Sequence, residues 1–203
     1  MDKNIKKLTD NKFLNLFQID AVDRNGKNFN YYFASRGDGD TMKYVTKENH
    51  PEGIMIYAVL KDDPSKIVLV KQYRYPINDF IYEMPAGLVD AGETGAFCAV
   101  REFKEETGMT LSLINNGESP MSRPFYTSVG LTDESVSIYY GYAEGEPSQE
   151  WLEATETINT KIVDRKEALR ILKEEKVAMK CALLLMQFIN SSDDNPFGFL
   201  DFQ

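Results

Sequence analysis

The sequence predicts an α+β domain with a mixed sheet, preceded by a small antiparallel β extension. Three observations support this prediction. Apolar strand-like runs fill most of the first half of the chain, one long amphipathic helix interrupts them, and two further helical segments lie near the C terminus. With 203 residues, of which 42% are hydrophobic, the chain can bury a sizeable core as one domain plus a modest extension.

The start of the chain has the pattern of a β-hairpin. Residues 13–22 and 28–34 are strand-like, and they flank Asn25-Gly26, a dipeptide that strongly favours a tight turn. The sequence therefore predicts two antiparallel strands here.

A linker is expected next, because the run Gly-Asp-Gly-Asp at residues 37–40 breaks the strand pattern. We therefore predict that residues 1–40 form an N-terminal β extension and that residues 41–203 form the main domain. An extension joined by a linker could reach a neighbouring subunit.

The main domain begins with two apolar strands, residues 54–60 and 67–73, joined by a polar turn. A short strand-like run follows at residues 81–84. Residues 135–143 alternate apolar and polar side chains, which indicates a half-buried strand. Residues 161–163 are the last predicted strand.

Three helices are predicted in the same domain. Residues 92–107 form the long one, and Gly108 lies where a helix-terminating glycine belongs. Two more helices, at about residues 165–175 and 177–190, follow a capping-box pattern that starts at Asp164.

Composition limits the possible partners. The formal net charge of −9 disfavours direct binding to nucleic acid or to an anionic membrane. The same charge repels a phosphate-bearing substrate unless a bound cation inverts the local field. Cys98 and Cys181 are too few for a disulfide framework, and no apolar run resembles a signal peptide or a membrane span. We therefore expect a cytoplasmic protein.

The long predicted helix carries an unusual acidic face. At 100° per residue, Glu102, Glu105 and Glu106 fall within about a quarter-turn of arc. Like charges at this spacing repel one another, so a cation is expected to compensate them. The alternative is a solvated acidic face with local Lys and Arg partners.

A motif supports the cation. Residues 87–109 match G-x5-E-x7-R-E-U-x-E-E-x-G-U at every position, where U is a bulky apolar residue. With average residue usage, a chance match in a chain of this length has a probability on the order of one in a million. The chain therefore resembles the Nudix hydrolase family, whose α/β/α sandwich fold also fits the flanking strands and the later helices.

The resemblance implies roles for the residues of this box. Glu102, Glu105 and Glu106 would be metal ligands, joined by the backbone carbonyl of Ala86, with Glu105 also counted among the catalytic residues. Hard oxygen ligands suit Mg²⁺, with Mn²⁺ as a possible substitute. Zinc is disfavoured, since His50 is the one histidine of the chain.

The other box positions are expected to be structural. Arg101 and Glu93 would pair to fix the loop against the helix, and Gly87 and Gly108 would complete the box.

Segments outside the box resemble the ADP-ribose pyrophosphatase branch of the family. Residues 126–134 are similar to its run Tyr-x-Ser-x-Gly-x-x-x-Glu, in which the glutamate acts as general base over the site. This implies that Glu134 is the catalytic base, although Val129 stands where that branch usually has proline. The alternative for Glu134 is an exposed turn glutamate before a strand.

Three more side chains are candidates for substrate contacts. Arg74 closes a predicted strand and Arg36 follows the hairpin, so either could bind phosphate or ribose; the alternative for Arg74 is a surface arginine at a strand end. Glu83 leads into the glycine loop and is the third candidate.

The resemblance implies Mg²⁺-dependent hydrolysis of ADP-ribose, or a related nucleoside diphosphate sugar, to AMP and ribose 5-phosphate by a homodimer. One alternative is a nucleotide-sugar pyrophosphatase that acts on a substrate such as GDP-mannose. A second is a non-catalytic Nudix domain that senses nucleotides. The intact box disfavours that second alternative, as does the absence of a basic DNA-binding segment.

Overall fold

The computed structural model describes residues 4–120 and 122–201. The chain forms two compact units. The first unit consists of Met1–Glu52 together with Pro124–Val136, and the second consists of Gly53–Arg123 together with Ser137–Gln203. The first unit therefore contains the predicted extension, the segment that follows it, and a later loop.

The strands and helices are numbered in chain order. They are β1 (Ile5–Lys7), β2 (Asn15–Val22), β3 (Asn28–Ser35), α1 (Lys43–Thr46), β4 (Gly53–Leu60), β5 (Lys66–Arg74), β6 (Asp79–Glu83), β7 (Ala86–Leu88), α2 (Gly95–Thr107), β8 (Thr110–Leu113), β9 (Phe125–Tyr126), β10 (Ser135–Glu144), β11 (Ile158–Asp164), α3 (Arg165–Glu174) and α4 (Met179–Asn190).

The first unit is built on a three-stranded antiparallel sheet in the order β1-β2-β3. The predicted hairpin joins β2 and β3, and Gly26 in its turn has a φ of 81°, which glycine adopts without steric cost. The Phe17 and Phe33 rings lie opposite each other at a centroid distance of 5.6 Å, and Ile5 and Met42 complete this small core.

The second unit contains a sheet in the order β11-β5-β4-β10-β8, with β6 paired to β5 and β7 paired to β4. On one face Ile54, Ile56 and Ala58 pack with Phe103 of α2. Side chains alternate along a strand, so Tyr57 points to the opposite face, where its ring meets Tyr140, Phe197 and Phe199. Both faces are covered, and the predicted α+β fold with helices packed on a sheet is confirmed.

The ends of α2 follow from two residues. Thr94 caps the helix by accepting the Phe97 N–H at 3.3 Å, so α2 begins at Gly95 rather than at the predicted Gly92. Gly108 ends it in the left-handed conformation, with a φ of 73° and its N–H donated to the Lys104 carbonyl at 2.9 Å.

The C-terminal tail packs on the second unit. Arg165 Nη1 donates to Asp193 Oδ1 at 2.5 Å, and the Phe197 ring lies edge-on to Tyr57 at 5.8 Å. Within residues 4–120 and 122–201, none of the helices combines the length and apolar character needed to cross a bilayer. Cys98 and Cys181 are both free and buried.

Candidate active site

The glycine loop and α2 are brought together by β7. This strand pairs with β4, with Gly87 opposite Ile54, and lies against the acidic face of α2. A Cβ atom at Gly87 would overlap the Glu102 carboxylate. Glycine at position 87 therefore allows the backbone and this carboxylate to approach closely.

Glu106 is the most buried of the three box glutamates, with 3% of its surface exposed. Its Oε2 accepts a hydrogen bond from the Ala86 N–H at 3.0 Å. Burial raises the pKa of the Glu106 carboxyl well above its usual range, and the Ala86 N–H offsets this only in part. Ala86 and Glu106, both predicted metal ligands, are thus direct neighbours.

Arg101 joins the loop to the helix. Its Nε donates to Glu93 Oε1 at 2.9 Å and its Nη2 donates to Glu93 Oε2 at 2.9 Å, which is a two-pronged ion pair. These bonds, above all other causes, lower the pKa of the Glu93 carboxyl to about 2. The structure therefore places the two predicted partners together.

The same guanidinium also compensates the acidic face. Arg101 Nη1 donates to Glu102 Oε1 at 2.9 Å and to Glu105 Oε2 at 2.8 Å. Burial nevertheless raises the pKa of Glu102 to about 7, against the opposing effect of Arg101.

Two observations bear on whether these carboxylates could bind a divalent metal, namely their arrangement and the chemistry of their donor atoms. Over residues 4–120 and 122–201, three or more acidic, His or Cys side chains are nowhere grouped as an assembled metal site. The donor atoms are hard carboxylate oxygens against a backbone strand, which is the ligand chemistry that Mg²⁺ and Mn²⁺ prefer.

Arg74 and Glu83 are paired on neighbouring strands. Arg74 Nε donates to Glu83 Oε2 at 2.7 Å, and the Arg74 side chain is 45% exposed. The two predicted substrate contacts therefore form one polar pair at the end of β5.

Glu156 is a carboxylate that sequence reasoning missed. It lies two residues before Ile158, which pairs with Gln72 at the start of β11, and its carboxyl interacts with the charge of Arg74. Burial raises the pKa of the half-buried Glu156, and the charges of Glu153 and Glu105 add to this rise. The signal in the sequence was weak, because no motif covers residues 150–157.

Arg36 and Glu134 lie together in the first unit. Arg36 Nε is 3.9 Å from Glu134 Oε1, and Thr127 Oγ1 donates to Glu134 Oε2 at 3.0 Å. Glu134 is half-buried. Two predicted functional residues, one from the extension and one from the later loop, are thus neighbours.

Two cavities lie in the first unit, and Arg36 lines one of them. One, of about 270 Å³, is lined in part by Arg36, Lys43 and Glu52. The other, of about 230 Å³, is largely aromatic and shares Lys43 and Asp133 with the first; its rings are Tyr31, Phe33, Tyr44 and Tyr126.

Comparison with known proteins identifies the family. The NUDIX domain family model matches residues 50–182, which is more than half of the chain. The chain belongs to the Nudix domain family. The Nudix segment contains β5, the glycine loop, α2 and the loop that carries Glu134.

Several curated relatives of this Nudix chain are similar in sequence. An ADP-ribose pyrophosphatase of Saccharomyces cerevisiae is 32% identical over 159 residues, covering 77% of this chain and 66% of the relative. An ADP-ribose pyrophosphatase of Bacillus subtilis is 33% identical over 130 residues, covering 63% of this chain and 66% of the relative. The putative nudix hydrolase 2 of Caenorhabditis elegans is 38% identical over 151 residues, covering 73% of this chain and 60% of the relative. The chain thus spans less than two thirds of the length of each of these relatives.

A solved structure has the same fold as this Nudix chain. The crystal structure of an ADP compounds hydrolase matches with a TM-score of 0.66 over 91% of this chain and 90% of that chain. The sequence identity is 16%, so this likeness bears on the fold alone.

Proposed function

We propose that this Nudix chain hydrolyses the pyrophosphate bond of ADP-ribose to give AMP and ribose 5-phosphate, with Mg²⁺ or Mn²⁺ as cofactor. The observation that carries the proposal is the complete box on α2, with Glu102, Glu105 and Glu106 held against the glycine loop. The names of the yeast and Bacillus relatives support ADP-ribose as the substrate.

The carboxylates of Glu102, Glu105 and Glu106, with the Ala86 carbonyl, would hold the cation. When bound, Mg²⁺ supplies neutralisation of the pyrophosphate oxygens and orientation of the attacking water. Arg101 and Glu93 keep the loop on the helix, so the ligand oxygens stay on one rigid surface.

A general base must take a proton from the attacking water. We propose Glu134, as the motif implies. A second candidate is Glu156, because it lies in the same unit as α2 and its charge interacts with Glu102, Glu105 and Glu106.

The two candidate bases can be separated by Glu134→Gln and Glu156→Gln. Loss of a base lowers kcat by about 10²–10⁴-fold and leaves the KM for ADP-ribose within a few-fold. Whichever variant keeps near-normal kcat is excluded as the base.

Arg74, Glu83 and Arg36 are proposed to contact the substrate. Arg74 is half-exposed and already oriented by Glu83, and Arg36 borders the cavity of about 270 Å³. Either guanidinium can donate hydrogen bonds to phosphate or ribose oxygens, because an arginine side chain stays positively charged.

The experiment that tests this function uses the purified protein with Mg²⁺ and a panel of ADP-ribose, GDP-mannose and nucleoside triphosphates, with product identification. We expect AMP and ribose 5-phosphate from ADP-ribose, and no turnover after chelation of the metal. Preference for GDP-mannose would replace the substrate while sparing the family. Tight ADP-ribose binding without any turnover would indicate a nucleotide sensor instead of an enzyme.

We further propose that the chain forms a homodimer through the N-terminal extension and works in the cytoplasm. The separate sheet of the first unit, which carries exposed apolar side chains such as Leu16 and Val22, supports the first proposal. The low cysteine content supports the second.

A further inference from the structure

The loop that carries Glu134 is fastened to strand β3 of the N-terminal sheet. The Tyr31 hydroxyl donates to the Gly130 carbonyl at 2.9 Å, and the Ala34 N–H donates to the Leu131 carbonyl at 2.8 Å. The glycine-bearing segment is thus bonded to the sheet at two successive residues.

The two residues that flank Glu134 are also held. Ser35 Oγ donates to Asp133 Oδ2 at 2.9 Å, on the side before Glu134. On the side after it, the Ser135 N–H donates to Glu52 Oε2 at 2.8 Å, and Lys43 Nζ donates to Ser135 Oγ at 2.6 Å.

Lys43 and Glu52 form a shielded ion pair at 2.6 Å, in which the Lys43 side chain is 9% exposed. Removing either partner would leave a poorly solvated charge, so this anchor is costly to break.

Glu134 itself is fixed through both its backbone and its carboxylate. The Thr127 N–H donates to the Glu134 carbonyl at 3.0 Å, while Thr127 Oγ1 donates to Oε2 at 3.0 Å. Arg36 Nε lies 3.9 Å from the other carboxylate oxygen. The carboxylate is therefore oriented by its own unit before any substrate binds.

We propose that Thr127 is a positioning residue for Glu134, and that strand β3 holds the loop that carries both residues. The Thr127 hydroxyl fixes one oxygen of the carboxylate and leaves the other facing Arg36, so the carboxylate keeps a single orientation. This inference rests on the proposed function only in requiring that Glu134 takes part in the reaction.

The test compares Thr127→Val, which keeps the shape and removes the hydroxyl, with Thr127→Ser, which keeps the hydroxyl. Kinetics with ADP-ribose and Mg²⁺ are measured for both, for Glu134→Gln, and for Thr127→Val combined with Glu134→Gln. We expect Thr127→Val to lower kcat/KM about tenfold, since misplacement of a reacting group by a fraction of an ångström has effects of this size. Thr127→Ser should stay within about threefold of the unchanged protein.

The double variant separates positioning from general structure. If Thr127 acts through Glu134, Thr127→Val should have no further effect once Glu134 is Gln. Thr110→Val is the matched control, because Thr110 is exposed on β8, a strand that carries none of the proposed site residues, and it should leave kcat/KM unchanged. Melting temperatures of all variants should agree within a few degrees.

Four results would overturn the inference. One is normal kcat/KM in Thr127→Val, and another is an equal loss in Thr127→Val and Thr127→Ser, which would point to shape. The third is an undiminished effect of Thr127→Val in the Glu134→Gln background. Normal activity of Glu134→Gln by itself would remove Glu134 from the reaction and the positioning role with it. An inactive Glu134→Gln beside a normal Thr127→Val would overturn the positioning role alone.

Discussion

Arg101 donates hydrogen bonds to three carboxylates, and this sets the charge balance at the start of the acidic face. Its planar guanidinium presents five donors, enough to reach Glu93, Glu102 and Glu105 together. The sequence indicated the pairing with Glu93 through the family motif. It also left open that local Lys and Arg side chains compensate the acidic face, and Arg101 is such a partner for Glu102 and Glu105.

Substitution of Glu93 should change how stability depends on pH. Because Arg101 lowers the pKa of Glu93 from 4.5 to about 2, the pair stabilises the fold above pH 4.5, and this contribution is lost as pH falls toward 2. Glu93→Gln should therefore lower the free energy of unfolding at pH 7 by on the order of 2–3 kcal/mol. Urea unfolding between pH 7 and pH 3 should show this difference shrinking below about pH 4.5. A difference that stays constant over the whole range would contradict the assignment.

Glu106 allows a test of the metal site itself. Glu106→Gln removes a negative charge and keeps the shape, so we expect kcat with ADP-ribose to fall by about 10²-fold or more. Thermal stability without metal should change little, because the amide oxygen can still accept the Ala86 N–H. Glu146→Gln, at an exposed surface position, is the matched control. Near-normal activity of Glu106→Gln at saturating Mg²⁺ would count against a ligand role.

At the scale of elements, strongly periodic segments could be predicted, and among the short strands β6 was predicted while β1, β7 and β8 were not. The hairpin strands β2 and β3, the apolar strands β4 and β5, and the three long helices follow from repeating local patterns. Strands β1, β7 and β8 have three or four residues each, and β7 and β8 pair with strands about thirty residues away in the sequence. Such short runs carry too little pattern to identify from local sequence.

The termination of α2 gives an element-scale prediction. Gly108→Ala should destabilise the protein by about 3 kcal/mol, because alanine is strained at a φ of 73° and its Cβ would lie 2.5 Å from the Ser148 nitrogen. Gly92→Ala is the matched control: its φ is 84°, but nothing lies within 4 Å of a Cβ there. It should cost only the strain, about 1 kcal/mol. Equal destabilisation of the two variants in urea unfolding would show that the close approach to Ser148 has no cost.

At the scale of the whole molecule, the chain folds into two units, and each unit is made of two separate segments of the sequence. Residues 124–136 join the N-terminal sheet although almost a hundred residues separate them from it. The predicted extension of residues 1–40 is therefore part of a larger unit that also includes the Glu134 loop.

The proposed homodimer gives a prediction at this scale. Light scattering should give a mass of twice 23.2 kDa. Leu16→Asp places a charge on the outer face of the N-terminal sheet, opposite the face of Phe17, and should shift the protein to monomer. Leu183→Asp, at an exposed position of α4, is the control and should remain dimeric. A monomeric, fully active unchanged protein would contradict the proposal.

The sequence by itself determined the helix that carries the box, the glycine that ends it, and the N-terminal hairpin. These depend on contacts between residues at most a few positions apart, so local periodicity and turn preferences specify them. Only the tertiary structure decided that Ala86 bonds Glu106, that Glu156 interacts with the charge of Arg74, and that Thr127, Arg36 and Glu134 come together. Those neighbours are set by strand register and by packing between distant segments, which maximise burial over the whole fold and leave no local pattern in the chain.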